Sequence, residues 1–228
     1  VKRIRENYTD KDPSTYTNHS GGAPLSDAQW DIIGREFGVI NHRHYREPLQ
    51  YIDTKGEDAV GSLTLDSMEL QQRKIKPTYI TQSDYDEGAI KATKAFRMML
   101  KGNENKSVRS AYIIRNWLQV KNADAIFALG TIKFAGETWS DAKKGVVTAK
   151  IPMVKGGTGY AVQMAINEGK PVYVFDATKE GWYTYDYNTK NFVPTETPVL
   201  TKNYAGIGSR SLSTQEVISE SIQAIRDV

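Results

Sequence analysis

Three glycine-rich segments carry the residue types and spacing that suit phosphate chemistry. Ser20-Gly21-Gly22-Ala23 is followed by Asp27, Lys155 precedes Gly156-Gly157-Thr158-Gly159, and Tyr204-Ala205-Gly206-Ile207-Gly208-Ser209-Arg210 comes near the end. Each stands where an expected strand hands over to an expected helix. Glycine lets the backbone approach a ligand closely, and the positive end of the following helix dipole attracts an anion. The neighbouring side chains have two roles open to them. Asp27 is a helix cap or a ligand contact, Thr158 an N-cap or an extra hydroxyl on an anion. Arg210 is a bidentate phosphate clamp or the partner of a surface acid. Gly206 and Gly208 serve a ligand or tight packing between strand and helix.

The elements that must position these turns alternate between strand and helix. Strands are expected at 14–19, 77–81, 123–129, 151–154, 171–176 and 198–204, and helices at 26–38, 83–100, 108–120, 158–168 and 213 to the end. Trp30, Ile33 and Phe37 form an apolar stripe that Gly38 ends. The run from Pro171 to Asp176 is continuously apolar, as in a buried parallel strand. Ser213-Thr214-Gln215-Glu216 has the pattern of a capping box. Residues 131–150 read as a hairpin excursion with a flexible tip, and 182–193 as a hairpin. This alternation predicts an α/β fold: a Rossmann-like, mostly parallel sheet with helices on both faces and a small β-hairpin excursion. Right-handed crossovers then place all three glycine turns at the carboxyl edge of the sheet. Residues 1–13 read as a polar arm and 14–228 as a single domain, with 41–82 a long loop or insertion.

Composition narrows the classes of function. The 228 residues are 39% hydrophobic and 10% aromatic, enough for one cored domain. Without cysteine there are no disulfides, thiolate metal sites or cysteine nucleophiles, which fits a cytoplasmic protein. The net charge of +3 has no basic tail or dominant basic face behind it, so nucleic acid is not an expected partner. No apolar run approaches the length of a membrane span, and the basic start lacks the apolar stretch of a signal peptide, so no membrane is expected either. His42 and His44, two residues apart, would share one side of a strand and could then bind metal, but they fall in the expected loop, no third ligand is evident, and no metal or cofactor is expected.

The glycine turns, with Arg115-Asn116 on a helix and Asn122-Ala123-Asp124-Ala125 opening a strand, resemble the SLOG superfamily. That superfamily includes the DNA-processing protein A fold and the LONELY GUY phosphoribohydrolases. The resemblance covers roughly residues 14–38 and 108–228. In the family the GxGSR-type turn comes first, whereas here Gly206 to Arg210 comes last. The chain thus resembles a circularly permuted member, its last strand taking the sheet position of the family's first. It also resembles uncharacterised phage and Bacteroidetes proteins.

The resemblance implies a nucleotide-type ligand. Ser20, Gly21, Gly22, Ala23, Asp27, Arg115, Asn116, Gly156, Gly157, Thr158, Gly159, Gln163, Gly208, Ser209 and Arg210 are the ligand-binding candidates. In the LONELY GUY enzymes the matching arginine looks set to assist N-glycosidic cleavage, with a glutamate where this chain has Gln163. Arg115 and Gln163 are therefore the catalytic candidates, but an amide cannot stabilise an oxocarbenium-like charge or act as a base as a carboxylate does. The expectation that follows is binding of a nucleotide or ADP-ribose-like signal by a sensor or sequestering protein, including a phage-encoded one directed against host defence. The alternative is an N-glycosidic phosphoribohydrolase or related nucleotide hydrolase. A homo-oligomer is implied by analogy with the family's enzymes.

Overall fold

The computed structural model describes residues 12–21, 26–45, 75–141, 145–208 and 215–228. The expected arm up to residue 11, most of the expected 41–82 loop (46–74), and Gly22, Ala23, Ser209, Arg210 and the Ser213 capping box lie outside the described residues.

Among the described residues, twelve strands run in chain order: β1 (Thr17–Ser20), β2 (Ile40–Tyr45), β3 (Ile75–Tyr79), β4 (Ala125–Leu129), β5 (Ile132–Lys133), β6 (Thr138–Asp141), β7 (Gly145–Thr148), β8 (Met153–Val154), β9 (Val172–Asp176), β10 (Gly181–Asp186), β11 (Asn191–Thr195) and β12 (Asn203–Gly208). The helices are α1 (Ser26–Glu36), α2 (Gln82–Met99), α3 (Ala111–Asn122), α4 (Gly157–Asn167) and α5 (Gln215–Asp227). Eight strands form the main sheet in the order β11-β10-β9-β4-β12-β1-β2-β3. Neighbours from β9 through β3 are parallel, and β10 and β11 add an antiparallel edge. The fold is thus α/β and Rossmann-like, as the alternation predicts.

Helices cover both faces. On one, Trp30 and Ile33 of α1 and Ala224 and Ile225 of α5 pack with Ala125, Phe127 and Leu129 of β4. On the other, Ala92 and Phe96 of α2, Trp117 and Val120 of α3, and Ala161, Val162 and Ile166 of α4 pack with Ile126 and Ala128. Alternate residues of β4 therefore serve opposite cores, and all five are fully buried, as a central parallel strand requires.

The last strand of the sequence occupies the middle of the sheet. β12 lies between β1, with Asn18 opposite Tyr204, and β4, with Ala205 opposite Ile126. From β12 the chain's earlier strands step outward in opposite directions, β1-β2-β3 on one side and β4-β9 on the other. A crevice forms beyond the strand ends at such a reversal.

Two expectations are corrected. Residues 40–45 form β2, an inner strand rather than loop; Asn41 and His44 are buried there although polar. The final strand begins at Asn203 and ends at Gly208, so Gly206 lies within it and not in a turn. The hairpin excursion expected within 131–150 is present as the separate β6–β7 ribbon, and the hairpin expected at 182–193 is present as β10–β11, which extends the main sheet.

Candidate functional site

The end of β1 brings chain and cation together. A Cβ on Gly21 would stand 2.6 Å from Arg115 Nη2 and 2.9 Å from Asp27 Oδ2, so a larger residue there would push aside the two side-chain ends that converge on the turn. Arg115 reaches the turn from α3 and donates through Nη1 to the Gly21 carbonyl at 2.6 Å. Both Arg115 and Asp27 are buried. Asp27, in the first turn of α1, accepts from the backbone N–H of Gly208 at 3.1 Å and so ties the end of β12 to the start of α1.

The second turn is built differently. The short antiparallel pair β5–β8, with Lys133 opposite Met153, delivers the chain to Gly156. Gly156 has φ 83° and ψ −161°, a combination that is essentially glycine's alone, and it stands at the N-cap of α4. Among the described residues no side chain caps this helix, so the N–H groups of its first turn keep their field. Gly157 is open, its nearest obstacle being Ile113 Cδ1 at 3.8 Å. Asn116, one residue after Arg115, donates to the Gly157 carbonyl at 3.4 Å and joins α3 to this turn.

These two constructions face one cavity of about 680 Å³. Asp27, Arg115, Asn116, Gly156, Gly157, Thr158 and Gly208 line it. Such a volume suits a nucleotide-sized molecule. Among the described residues its charged lining is balanced, with Arg115 and Lys155 against Asp27 and Asp141. Tyr112, Trp139 and Tyr160 add aromatic surface. Burial pushes the Tyr160 phenol up to about 12, so it stays a neutral hydroxyl.

The remaining candidates fall elsewhere. Ser20 is buried at the end of β1, outside the cavity lining. Gly159 sits where a Cβ would collide with the Val154 backbone, so its glycine serves the contact between α4 and β8. Gln163 is buried further along α4, where its amide donates to Asn167 Oδ1 at 3.0 Å, and it does not line the cavity. Gly206 lies under the Trp30 ring, which leaves no room for a side chain. Outside those candidates, Asp176 ends β9 and accepts from Ile132 N at 2.8 Å and from Thr178 N and Oγ1 at 3.0 and 2.6 Å.

Sequence reasoning missed the contribution of the β6–β7 ribbon, which sends Trp139, Ser140, Asp141 and Val147 into the cavity wall. An aromatic between polar residues in an otherwise exposed ribbon was the available signal. It also missed the buried polar network that seats β12. Asn18 donates to Asp31 Oδ1 and Asn41 Oδ1 at 3.1 and 3.2 Å and accepts from Gly206 N at 3.0 Å. A third omission is His19, whose Nδ1 lies 3.1 Å from His44 Nε2, with the His42 ring stacked on His44 at 4.6 Å between centroids. Burial holds His19 down to about 4 and His44 to about 3, so both imidazoles are neutral at ordinary pH.

No described helix is long and apolar enough to cross a membrane. Comparison of the chain with protein-family models, with curated proteins and with solved structures finds no match.

Proposed function

We propose that the cavity at the carboxyl edge of the sheet holds a nucleotide or ADP-ribose-like small molecule, and that the protein binds this ligand as a sensor or sequestering protein. The observation that carries this reading is the uncapped start of α4 at Gly156, in the wall of a cavity that Arg115 and Lys155 also line. A phosphate belongs at the Gly156–Thr158 N–H groups, where the helix dipole and Lys155 favour negative charge. Asp27 is placed to accept from ribose hydroxyls, and Trp139 or Tyr112 to stack on a base. A homo-oligomer and a cytoplasmic setting belong to the same reading. Light scattering on the purified chain gives the subunit number, and a monomer removes the first of these.

The hydrolase alternative draws on Arg115 and on the Asp27 and Asp141 carboxylates of the lining. Two observations favour binding over cleavage. Gln163 stands away from the cavity, and Arg115 is already engaged with the Gly21 carbonyl. Incubation with AMP, ADP-ribose and cyclic ADP-ribose isomers, followed by denaturation and mass analysis, separates the two. Unchanged ligand supports binding; release of free base or ribose phosphate supports the hydrolase.

A further inference from the structure

The chain has 3 histidines, and all of them meet at one place. His19 comes from β1, and His42 and His44 from β2, on the neighbouring strand. The parallel register sets His19 beside His42, and the two-residue spacing puts His44 on the same side of β2. One nitrogen from each ring lies within 4.8 Å of the others. His19 and His44 are buried, while His42 is partly exposed.

A packing role does not account for this cluster. Three imidazoles on two adjacent inner strands occupy positions that valine or isoleucine fill at less cost in desolvation. The nitrogens turned away from the contact, His19 Nε2 and His44 Nδ1, are buried and make no well-formed hydrogen bond among the described residues, although the Asn203 side chain acts on His19 as a weak partner. The facing nitrogens, His19 Nδ1 and His44 Nε2, are 3.1 Å apart. Two nitrogens bound at zinc distances to one tetrahedral ion are separated by about 3.3 Å, so the observed pair needs little adjustment to share a cation. Rotation of the partly exposed His42 closes the third side. Of the charges acting on His44, Arg115 opposes a bound cation and Asp84 favours it.

We propose that His19, His42 and His44 form a binding site for a borderline divalent transition-metal ion of the zinc class. Three neutral imidazoles and no thiolate suit Zn²⁺, and they leave a fourth position for water or another small ligand. The ion links β1 to β2 and so braces the strand whose end carries Gly21. This site is separate from the nucleotide proposal, and neither depends on the other.

The test uses the full chain with any affinity tag removed, stripped with a chelator and titrated calorimetrically with Zn²⁺, then with Co²⁺ as a spectroscopic probe. The expected result is one ion per chain, visible absorption bands of tetrahedral Co²⁺, and a raised melting temperature with Zn²⁺. His42→Gln, at the partly exposed position, keeps the fold by circular dichroism and weakens Zn²⁺ binding about tenfold or more. His19→Gln together with His44→Gln abolishes it. Absence of one-to-one binding in the wild type, or an affinity unchanged by His42→Gln, overturns the proposal.

Discussion

Arg115 Nη1 donates to the backbone carbonyl of Gly21 at 2.6 Å, joining α3 to the end of β1 across 94 positions of the chain. This contact makes the arginine a constructor of the turn as well as a wall of the cavity. Arg115→Met leaves the Gly21 carbonyl without this donor in a buried setting, at a cost of about 2 kcal/mol. Denaturant unfolding should show that loss, and calorimetry should show nucleotide affinity falling at least about tenfold, equivalent to 1.4 kcal/mol. Arg115→Lys recovers charge but not the fork of donors, and should restore little of either.

Gly157→Asp separates site from fold. The position is open, and an acid in the first turn of α4 interacts favourably with the helix dipole, so stability should be unchanged or rise by about 0.5 kcal/mol. The same carboxylate occupies the proposed phosphate position with like charge. Ligand binding should be lost while the melting temperature holds; retained binding places the phosphate elsewhere.

Gly206→Ala acts in the opposite sense. Its methyl group would enter the Trp30 ring, and Trp30 also donates to the Ile207 carbonyl at 3.3 Å. Overpacking of this kind costs roughly 1–3 kcal/mol. Unfolding by urea should show a lower midpoint. A midpoint equal to the wild type's would mean that α1 does not clamp the central strand as described.

Tyr160 gives a pH dependence with a definite sign. Its phenol is raised from the ordinary 10.0 to about 12 by burial beside the cavity. The folded state therefore holds this proton more tightly than the unfolded chain. The associated stability is fully present below about pH 10 and is lost as pH rises through the folded value. Between about pH 9 and pH 11, the wild type should lose on the order of 1 kcal/mol relative to Tyr160→Phe. Parallel pH profiles of the two proteins would remove the burial argument.

Much of this architecture was legible in the residues. The apolar run at 172–176, the stripe of Trp30 and Ile33, and glycines at strand ends follow from periodicity and from backbone freedom, which are local. β2 was not legible, because Asn41, His42 and His44 look like loop residues until Asn18 and His19 on the next strand give them partners. The same holds for Gly206 and Gly159, where sequence shows a glycine and only tertiary contact shows that Trp30 and Val154 demand it. Gln163 stood at the right interval from the glycine turn, yet helix rotation carries its amide to Asn167 rather than to the cavity.

The account rests on the cavity that Gly156 and Arg115 share. Isothermal titration of the wild type and Gly157→Asp with ADP-ribose, AMP and cyclic ADP-ribose isomers tests it most directly, with mass analysis of the ligand afterwards. The prediction is saturable binding of at least one of these to the wild type, none to Gly157→Asp, and recovery of the ligand intact. No binding of any of them, or equal binding by both proteins, would contradict it.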